Sequence, residues 1–261
     1  PLPADPTAQR ETFERWGMPA AARDRLRAFF EAEATGLDGP DAAVTTVTDG
    51  ATVSLGAAAL EAVHLPGHTA GLCGFAFDPR TLPGHEPAAG RDNEPSKRDD
   101  GPEEAFTGDA LLPRYTPNVG GADVRVEGAL GKYLETLLEY IEADYDRAWP
   151  GHRDPIEDPA ARAATIIDHH EERAWRVLDV LRAQGPSTPW EVSAELFGDL
   201  ESIHILHGPG ESYAHLEHLE ADGYVEREGK EYRLTDAARE RMEEIDDERW
   251  PLVDEDYEHT L

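Results

Sequence analysis

Two histidines and an aspartate each follow a short apolar run, at turns built from small residues. His68 lies in "LPGHT", Asp109 in "FTGDA" and His152 in "WPGHR". Neutral imidazole and carboxylate are the ligands that a catalytic zinc prefers, and such a site keeps one position open for water. Glycine beside each side chain allows a tight turn that projects it from the strand end. The repeated pattern predicts that the three residues share a metal site.

The remaining histidines give weaker signals. His64 precedes the first of these turns, where it is either a supporting residue that orients the turn or an ordinary strand histidine. His85 lies in a segment rich in Pro, Gly and charge, and we expect it to face solvent. The run 168–170, "DHH", falls within a predicted helix, where adjacent residues point in different directions, so we expect a domain-junction or surface role. His215 and His218 are one helical turn apart with no evident third ligand, and we expect both at the surface.

Composition restricts the class of protein. The 261 residues include 55 Asp and Glu against 24 Lys and Arg, a formal charge of −31, and only three of the basic residues are lysines. This balance is typical of proteins kept soluble at high salt, so we predict the cytoplasm of a halophilic archaeon. Five Trp, eight Tyr and periodic apolar segments argue against an acidic disordered chain. Cys73 is the only cysteine, which excludes an internal disulfide and a cysteine-rich zinc site.

Secondary structure in the first 158 residues is predicted to be mixed. No apolar run approaches the roughly 18 residues that span a membrane, so no membrane association is expected. Asp49-Gly50 is a hairpin signal between short β-branched runs. We predict the following segments: an irregular arm with one short turn over 1–18, a helix over 19–34, short strands over 43–77, a surface or disordered insertion over about 79–104, a strand over 105–112, a helix over 126–141 and a strand over 146–155.

The pattern changes near residue 159. Thr188 and Glu191 have the spacing of a capping box at a helix start. Glu228-Gly229 marks a hairpin turn between two short strands. We predict helices over 161–185, 188–198, 208–223 and 236–250, with that hairpin between the last two. Three helices followed by a hairpin are typical of a winged helix, which we place within a second domain over 159–261.

The three motifs in this order, "HLPGHTAG", "FTGDALL" and "WPGH", resemble the second half of the metallo-β-lactamase superfamily. The tail from "IIDHHEERAWRVLDVL" to "HLEHLEADGYVERE" resembles the winged-helix extension of its β-lactamase-like protein 2 branch. The resemblance covers about residues 43–245. It implies an α+β fold, in which 1–158 form the C-terminal part of an αββα sandwich and a winged helix follows.

The resemblance also implies roles for the site residues. His68 would complete the three-histidine site of one zinc. Asp109 would bridge two metals as the central catalytic carboxylate, and His152 would bind the second. The metals would be two zinc ions or another divalent metal, and the bridged water would be the nucleophile.

One departure from the family limits this prediction. The leading signature, His-x-His-x-Asp-His, should precede His68, and residues 1–67 contain nothing like it. We expect the numbered chain to be the C-terminal piece of a longer protein; the alternative is a protein that has lost its site. In either case we expect this chain alone to bind metal weakly.

The sequence therefore predicts a metal-dependent hydrolase that acts on an ester, a thioester or a phosphodiester. The alternatives are a catalytically silent interaction or regulatory protein and a single-strand endoribonuclease. The helix predicted over 208–223 carries four acidic residues and no Lys or Arg, so DNA binding is not expected. The expected substrate is a small ester or thioester, with RNA less favoured.

Overall fold

A computed structural model describes residues 6–33, 45–56, 58–82, 84 and 103–245. The chain divides into two compact units. The sheet unit comprises 41–117 and 131–168, and the helical unit comprises 1–40, 118–130 and 169–261. The mixed content of strands and helices confirms the predicted α+β class.

The sheet unit is built around one five-stranded sheet with strands in sequence order. The strands are β1 (Thr52–Leu55), β2 (Ala58–His64), β3 (Cys73–Phe77), β4 (Glu104–Gly108) and β5 (Arg147–Pro150). The first four pair antiparallel, and β5 pairs parallel to β4. The hairpin predicted at Asp49-Gly50 was wrong in its position, because these residues form a turn before β1 and residues 45–48 carry no strand; the observed hairpin pairs β1 with β2. The Gly50 amide donates to the Ala62 carbonyl.

Two helices follow strands of this sheet along the chain. Parallel strands need a crossover connection, and α3 (Ala129–Ala143) supplies it between β4 and β5. Its buried residues Tyr133, Leu137 and Tyr140 recur at helical spacing. The helix α4 (Pro159–Gln184) begins in the sheet unit, where Ala163 and Ile166 are fully buried.

The helical unit begins with two helices, α1 (Pro6–Arg15) and α2 (Ala20–Glu33). The prediction of an irregular arm over 1–18 was wrong for α1. That helix is polar along most of its length, so its sequence has little periodicity, and it is stabilised by tertiary packing. The buried residues Phe13, Trp16 and Leu26 belong to one core cluster with Ile205 and Leu206.

The rest of the helical unit follows the predicted element order. After α4 come α5 (Pro189–Phe197), α6 (His204–Ala221), β6 (Val225–Glu228), β7 (Glu231–Leu234) and α7 (Asp236–Ile245). The capping box at Thr188 and Glu191 is confirmed, with both reciprocal hydrogen bonds present. The order of three helices and a hairpin agrees with a winged helix. The assignment of this region as a winged helix stays a prediction.

The division into two units differs from the predicted boundary at 158/159. Within the helical unit, apolar side chains of α1, α2 and the turn between them pack on α6 and the preceding turn. The predicted insertion over 79–104 falls mostly outside the described residues, as does His85. Its first residues form a 3-10 turn (Pro79–Thr81), and Glu104 already belongs to β4. Among the described helices, none is long and apolar enough to cross a membrane.

Candidate metal-binding site

The three sequence motifs meet at one edge of the five-stranded sheet. Because β2 and β4 are both antiparallel to β3, they run in the same direction, and β5 is parallel to β4. The carboxyl ends of β2, β4 and β5 therefore lie at the same edge. The turns that follow these strands carry His68, Asp109 and His152, respectively.

Asp109 is the centre of the cluster. His68 Nε2 is 3.8 Å from Asp109 Oδ2, and His152 Nε2 is 3.5 Å from Asp109 Oδ1. Each imidazole thus faces a different oxygen of one carboxylate. The exposed fraction of the side chains is 19% for His68, 31% for Asp109 and 69% for His152, so the cluster opens to solvent on the His152 side.

The turn that carries His68 is held by α3. Gly67 has φ 134°, and a Cβ there would lie 2.4 Å from Tyr133 Cβ and 2.7 Å from Tyr133 Cα. Only glycine permits both this backbone angle and this close approach. Thr136, one turn further along the helix, donates its hydroxyl to the Pro66 carbonyl at 2.9 Å.

The other two turns are tied to each other. The Gly151 amide donates to the Gly108 carbonyl at 2.8 Å. A Cβ on Gly151 would lie 2.6 Å from Asp109 Oδ1, so the small residue makes room for the carboxylate. Tyr133 donates its hydroxyl to the Ala110 carbonyl at 2.8 Å, which fixes the turn after Asp109. The helix α3 therefore positions two of the three turns.

His64 spans the loop that carries His68. Its ring Nε2 donates to the Ala70 carbonyl at 2.9 Å, and its backbone amide donates to Asp49 Oδ1 at 2.8 Å. Leu65 and Leu72 close the same loop with a backbone hydrogen bond of 2.8 Å. These contacts agree with a role for His64 in orienting the loop rather than in binding a metal.

The donor types fit a metal, but their number falls short of a complete site. His68, Asp109 and His152 are imidazole and carboxylate donors of the kind that zinc prefers. Among the described residues, however, no group of three or more His, Cys, Asp or Glu side chains has an arrangement that could hold a metal ion. The roles of His68, Asp109 and His152 as metal ligands therefore stay a prediction.

The solvent-facing side of the cluster includes residues that the sequence motifs did not single out. Arg153 directly follows His152, and its guanidinium carbon lies 4.6 Å from the centre of the Tyr115 ring. Arg162 donates from Nε to the Leu112 carbonyl at 2.7 Å and from Nη2 to the Tyr115 carbonyl at 3.0 Å. The sequence signal that could have identified Arg153 as a residue near the site was its position directly after the predicted ligand His152.

The expectation of a surface position for His215 was wrong, and His170 of the "DHH" run is buried as well. His215 is fully buried and His170 is 2% exposed, with His170 Nδ1 3.2 Å from His215 Nε2. His215 Nδ1 donates to the Glu211 carbonyl at 2.8 Å. Burial lowers the pKa of His170 well below its ordinary value and lowers the pKa of His215 to about 3, so both are neutral. His218 keeps partial exposure, with 31% of its side chain accessible.

The acidic helix α6 also has a buried charge. Arg173 Nη1 contacts Glu211 Oε1 at 2.7 Å, and both side chains are at most 4% exposed. Asn118 Nδ2 donates to Glu211 Oε2 at 2.8 Å. Burial raises the pKa of Glu211, and the Arg173 charge and the Asn118 hydrogen bond oppose that shift. Glu211 is therefore part of the interior, not of the repelling surface expected from the sequence.

Comparisons with known proteins agree with the motifs. No protein-family model matches the chain. The lactamase-like protein aptB of Emericella nidulans is 25% identical over 170 residues, which cover 62% of this chain and 45% of that protein. The chain thus spans less than half the length of this relative.

Solved structures show the same fold. A metallo-β-lactamase family protein from Thermus thermophilus is 25% identical with a TM-score of 0.58; the match covers 84% of this chain and 67% of that one. A β-lactamase domain protein from Burkholderia ambifaria, 24% identical, has a TM-score of 0.63 and covers 85% and 60%, respectively. The chain thus has the metallo-β-lactamase fold and is similar to proteins of the metallo-β-lactamase superfamily, which agrees with the resemblance of the three motifs.

Proposed function

We propose that the protein is a metal-dependent hydrolase that activates water against an ester, a thioester or a phosphodiester. The observation that carries this proposal is that His68 and His152 face separate oxygens of the Asp109 carboxylate at one sheet edge. Asp109 and the two histidines are the residues of this chain that would hold the metal, and their carboxylate and imidazole groups are ligand types that zinc accepts. The two histidines would bind one ion each, and further ligands would have to complete both sites.

Each residue of the cluster has a defined task in this proposal. Asp109 presents one oxygen to each histidine, since Gly151 leaves room beside the carboxylate and Tyr133 fixes the turn after it. His68 is the more enclosed donor and His152 the more exposed one, so substrate would approach from the His152 side. Zinc or another divalent metal, when bound, supplies an acidified water and stabilises developing negative charge.

Metal content of the whole gene product tests this proposal. We expect about two zinc equivalents by mass spectrometry, together with hydrolysis in a panel of esters, thioesters and single-stranded RNA. Asp109→Asn should abolish the activity and lower the metal content, because a neutral amide would bind a divalent cation more weakly than a carboxylate does. Glu61→Gln, a change at an exposed position of β2, is the matched control and should leave both unchanged.

The same measurements decide between the enzyme and its alternatives. A whole gene product without bound metal and without hydrolysis would overturn the proposal and favour a silent interaction or regulatory protein. Hydrolysis confined to single-stranded RNA would instead identify an endoribonuclease. Activity that survives Asp109→Asn would show that the reaction does not depend on this cluster.

A further inference from the structure

A cleft lies at the open side of the Asp109 cluster. Its volume is about 410 Å³, and it is lined by Leu112, Tyr115, His152 and Arg153. This volume is within the range of small-molecule sites, roughly 300–1,000 Å³. Because His152 belongs both to the cluster and to this cleft, a molecule in the cleft would lie beside the groups that the proposed reaction uses.

Arg153 has an unusual backbone for its residue type. Its φ is 71°, a left-handed conformation that side chains other than glycine rarely adopt. The turn is fixed on both sides, by the Gly151 amide on the Gly108 carbonyl and by the paired backbone hydrogen bonds of Ala148 and Ile156. Strain of this kind persists where surrounding structure imposes it, and it concentrates at ligand sites. The strained residue directly follows the predicted metal ligand His152 in the sequence.

The guanidinium of Arg153 is available to a ligand. It lies over the Tyr115 ring at 4.6 Å, and Arg153 itself is exposed. Within the described residues, no carboxylate lies within 4 Å of it, although the chain has more than two acidic residues for each basic one. A planar guanidinium with its edge open can donate two parallel hydrogen bonds to a carboxylate or phosphate.

The aromatic partner is held in place from the interior. Arg162, on α4, donates to the carbonyls of Leu112 and Tyr115, and both lie on the loop that lines the cleft. Partial burial lowers the pKa of Arg162, and these two carbonyls accept hydrogen bonds from its Nε and Nη2. The cleft wall is therefore preorganised, which lowers the entropic cost of binding a ligand there.

We propose that Arg153 and Tyr115 bind an oxyanion group, carboxylate or phosphate, of a small ester or thioester substrate. This inference rests on the proposed hydrolase function. One cation in a small cleft matches one anionic group, whereas an RNA strand would require a series of basic contacts along its backbone. In the reaction, a water oxygen bonds to the acyl carbon and the carbon–oxygen or carbon–sulfur bond breaks. The alcohol or thiol leaves with a proton, and the acid remains.

Matched substrates test this specificity in the whole gene product. We compare kcat/KM for a neutral thioester and for isosteres that carry a carboxylate or a phosphate. We expect one charged isostere to be preferred about tenfold, and Arg153→Gln to remove that preference through KM while leaving the neutral substrate unaffected. Arg153→Lys should retain part of the preference. Arg233→Gln, which removes an exposed positive charge from β7, should change nothing.

Arg153→Gly separates ligand binding from a structural role. Glycine adopts φ 71° without strain, so this variant should unfold at the same or a higher temperature than the unaltered protein. If it nevertheless loses the preference for the charged substrate, the arginine acts on the ligand. If instead its thermal stability falls while the preference remains, Arg153 has only a structural role and the inference is overturned.

A binding measurement distinguishes this inference from the proposed function. Calorimetry with charged and neutral thioether analogues, which cannot be hydrolysed, reports on the cleft alone. Suppose that the protein binds the charged analogue, that Arg153→Gln weakens this binding about tenfold, and that no substrate is hydrolysed. This result would support anion binding in the cleft and would overturn the proposed hydrolase function. Hydrolysis without a charge preference, or with single-stranded RNA preferred over every small substrate, would overturn the inference.

Discussion

Gly67 illustrates how single residues define the candidate site. The close contact with Tyr133 brings the His68 turn against α3, and Thr136 then reaches the Pro66 carbonyl. A larger side chain would have to displace a helix backbone rather than a flexible side chain. The contact between Gly67 and Tyr133 therefore helps to position His68, in addition to the interactions that His68 itself makes.

We therefore expect Gly67→Ala to lower the free energy of unfolding by about 2–4 kcal/mol, from overpacking and from backbone strain at φ 134°. Urea denaturation measures the change. Gly71→Ala is the matched control, since Gly71 lies in the same loop and a Cβ there would meet nothing within 4 Å. The control should change stability by less than about 0.5 kcal/mol. Equal effects of the two substitutions would contradict this account of the turn.

Arg173 and Glu211 form a buried ion pair between α4 and α6. Arg173→Met leaves the Glu211 carboxylate buried without its positive partner, with the Asn118 amide still bonded to it. We expect a loss of about 3–5 kcal/mol in the free energy of unfolding, measured by urea denaturation.

Two further variants test the origin of that loss. The double variant Arg173→Met with Glu211→Leu removes both charges and should recover at least half of the stability, because two apolar groups can replace a buried ion pair. Arg233→Gln breaks the exposed pair with Glu226 and should cost at most about 1 kcal/mol. A double variant as unstable as the single one would show that packing, not charge, dominates at this position.

At the level of elements, the sequence was sufficient to predict those features that depend on contacts between residues close together in the chain. Thr188 and Glu191 satisfy each other within four residues, so the start of α5 was predictable. The three motif turns were predictable for the same reason, since each depends on glycine next to a polar side chain. Their convergence at one sheet edge depends on the strand directions, which the hydrogen-bonded pairing of β2–β5 established.

Features that depend on long-range packing were not predictable. The helix α6 begins at His204, four residues before the predicted start, and continues through Pro209. Its glycines pack closely: a Cβ on Gly210 would lie 2.4 Å from the Cα of Gly121, some 90 residues earlier in the chain. His215 shares a helix face with Leu219, which was the one local hint of its burial. Nothing local marks the contact between Arg153 and Tyr115.

The buried histidine pair makes the helical unit sensitive to acid. The pKa of His215 falls to about 3 on folding because burial disfavours its charged form, whereas an unfolded histidine titrates near 6.5. Below about pH 6.5 the unfolded chain therefore binds a proton that the folded chain does not. The stability contributed by neutral His215 is present above pH 6.5 and is lost progressively as the pH falls toward 3. The raised pKa of Glu211 acts in the opposite direction.

The acid sensitivity can be measured by comparing variants at two pH values. Between pH 7 and pH 5 the unaltered protein should lose about 2 kcal/mol more stability than His215→Gln, which has no imidazole at this position to titrate. His218→Gln, on the same helix but partly exposed, should retain the full loss. Equal losses in His215→Gln and the unaltered protein would contradict neutral burial of His215.

For the molecule as a whole, the charge of −31 has a direct thermodynamic consequence. Repulsion among surface carboxylates acts over about 10 Å in 0.1 M salt and about 3 Å in 1 M salt, so added salt removes an unfavourable term from the folded state. We expect the thermal midpoint to rise by several degrees between 0.1 M and 1 M KCl. The double variant Glu240→Gln with Glu243→Gln, at exposed positions on α7, carries less repulsion and should gain less. A midpoint that stays flat or falls with salt would contradict the high-salt prediction, because the same screening argument led from the composition to a halophilic source.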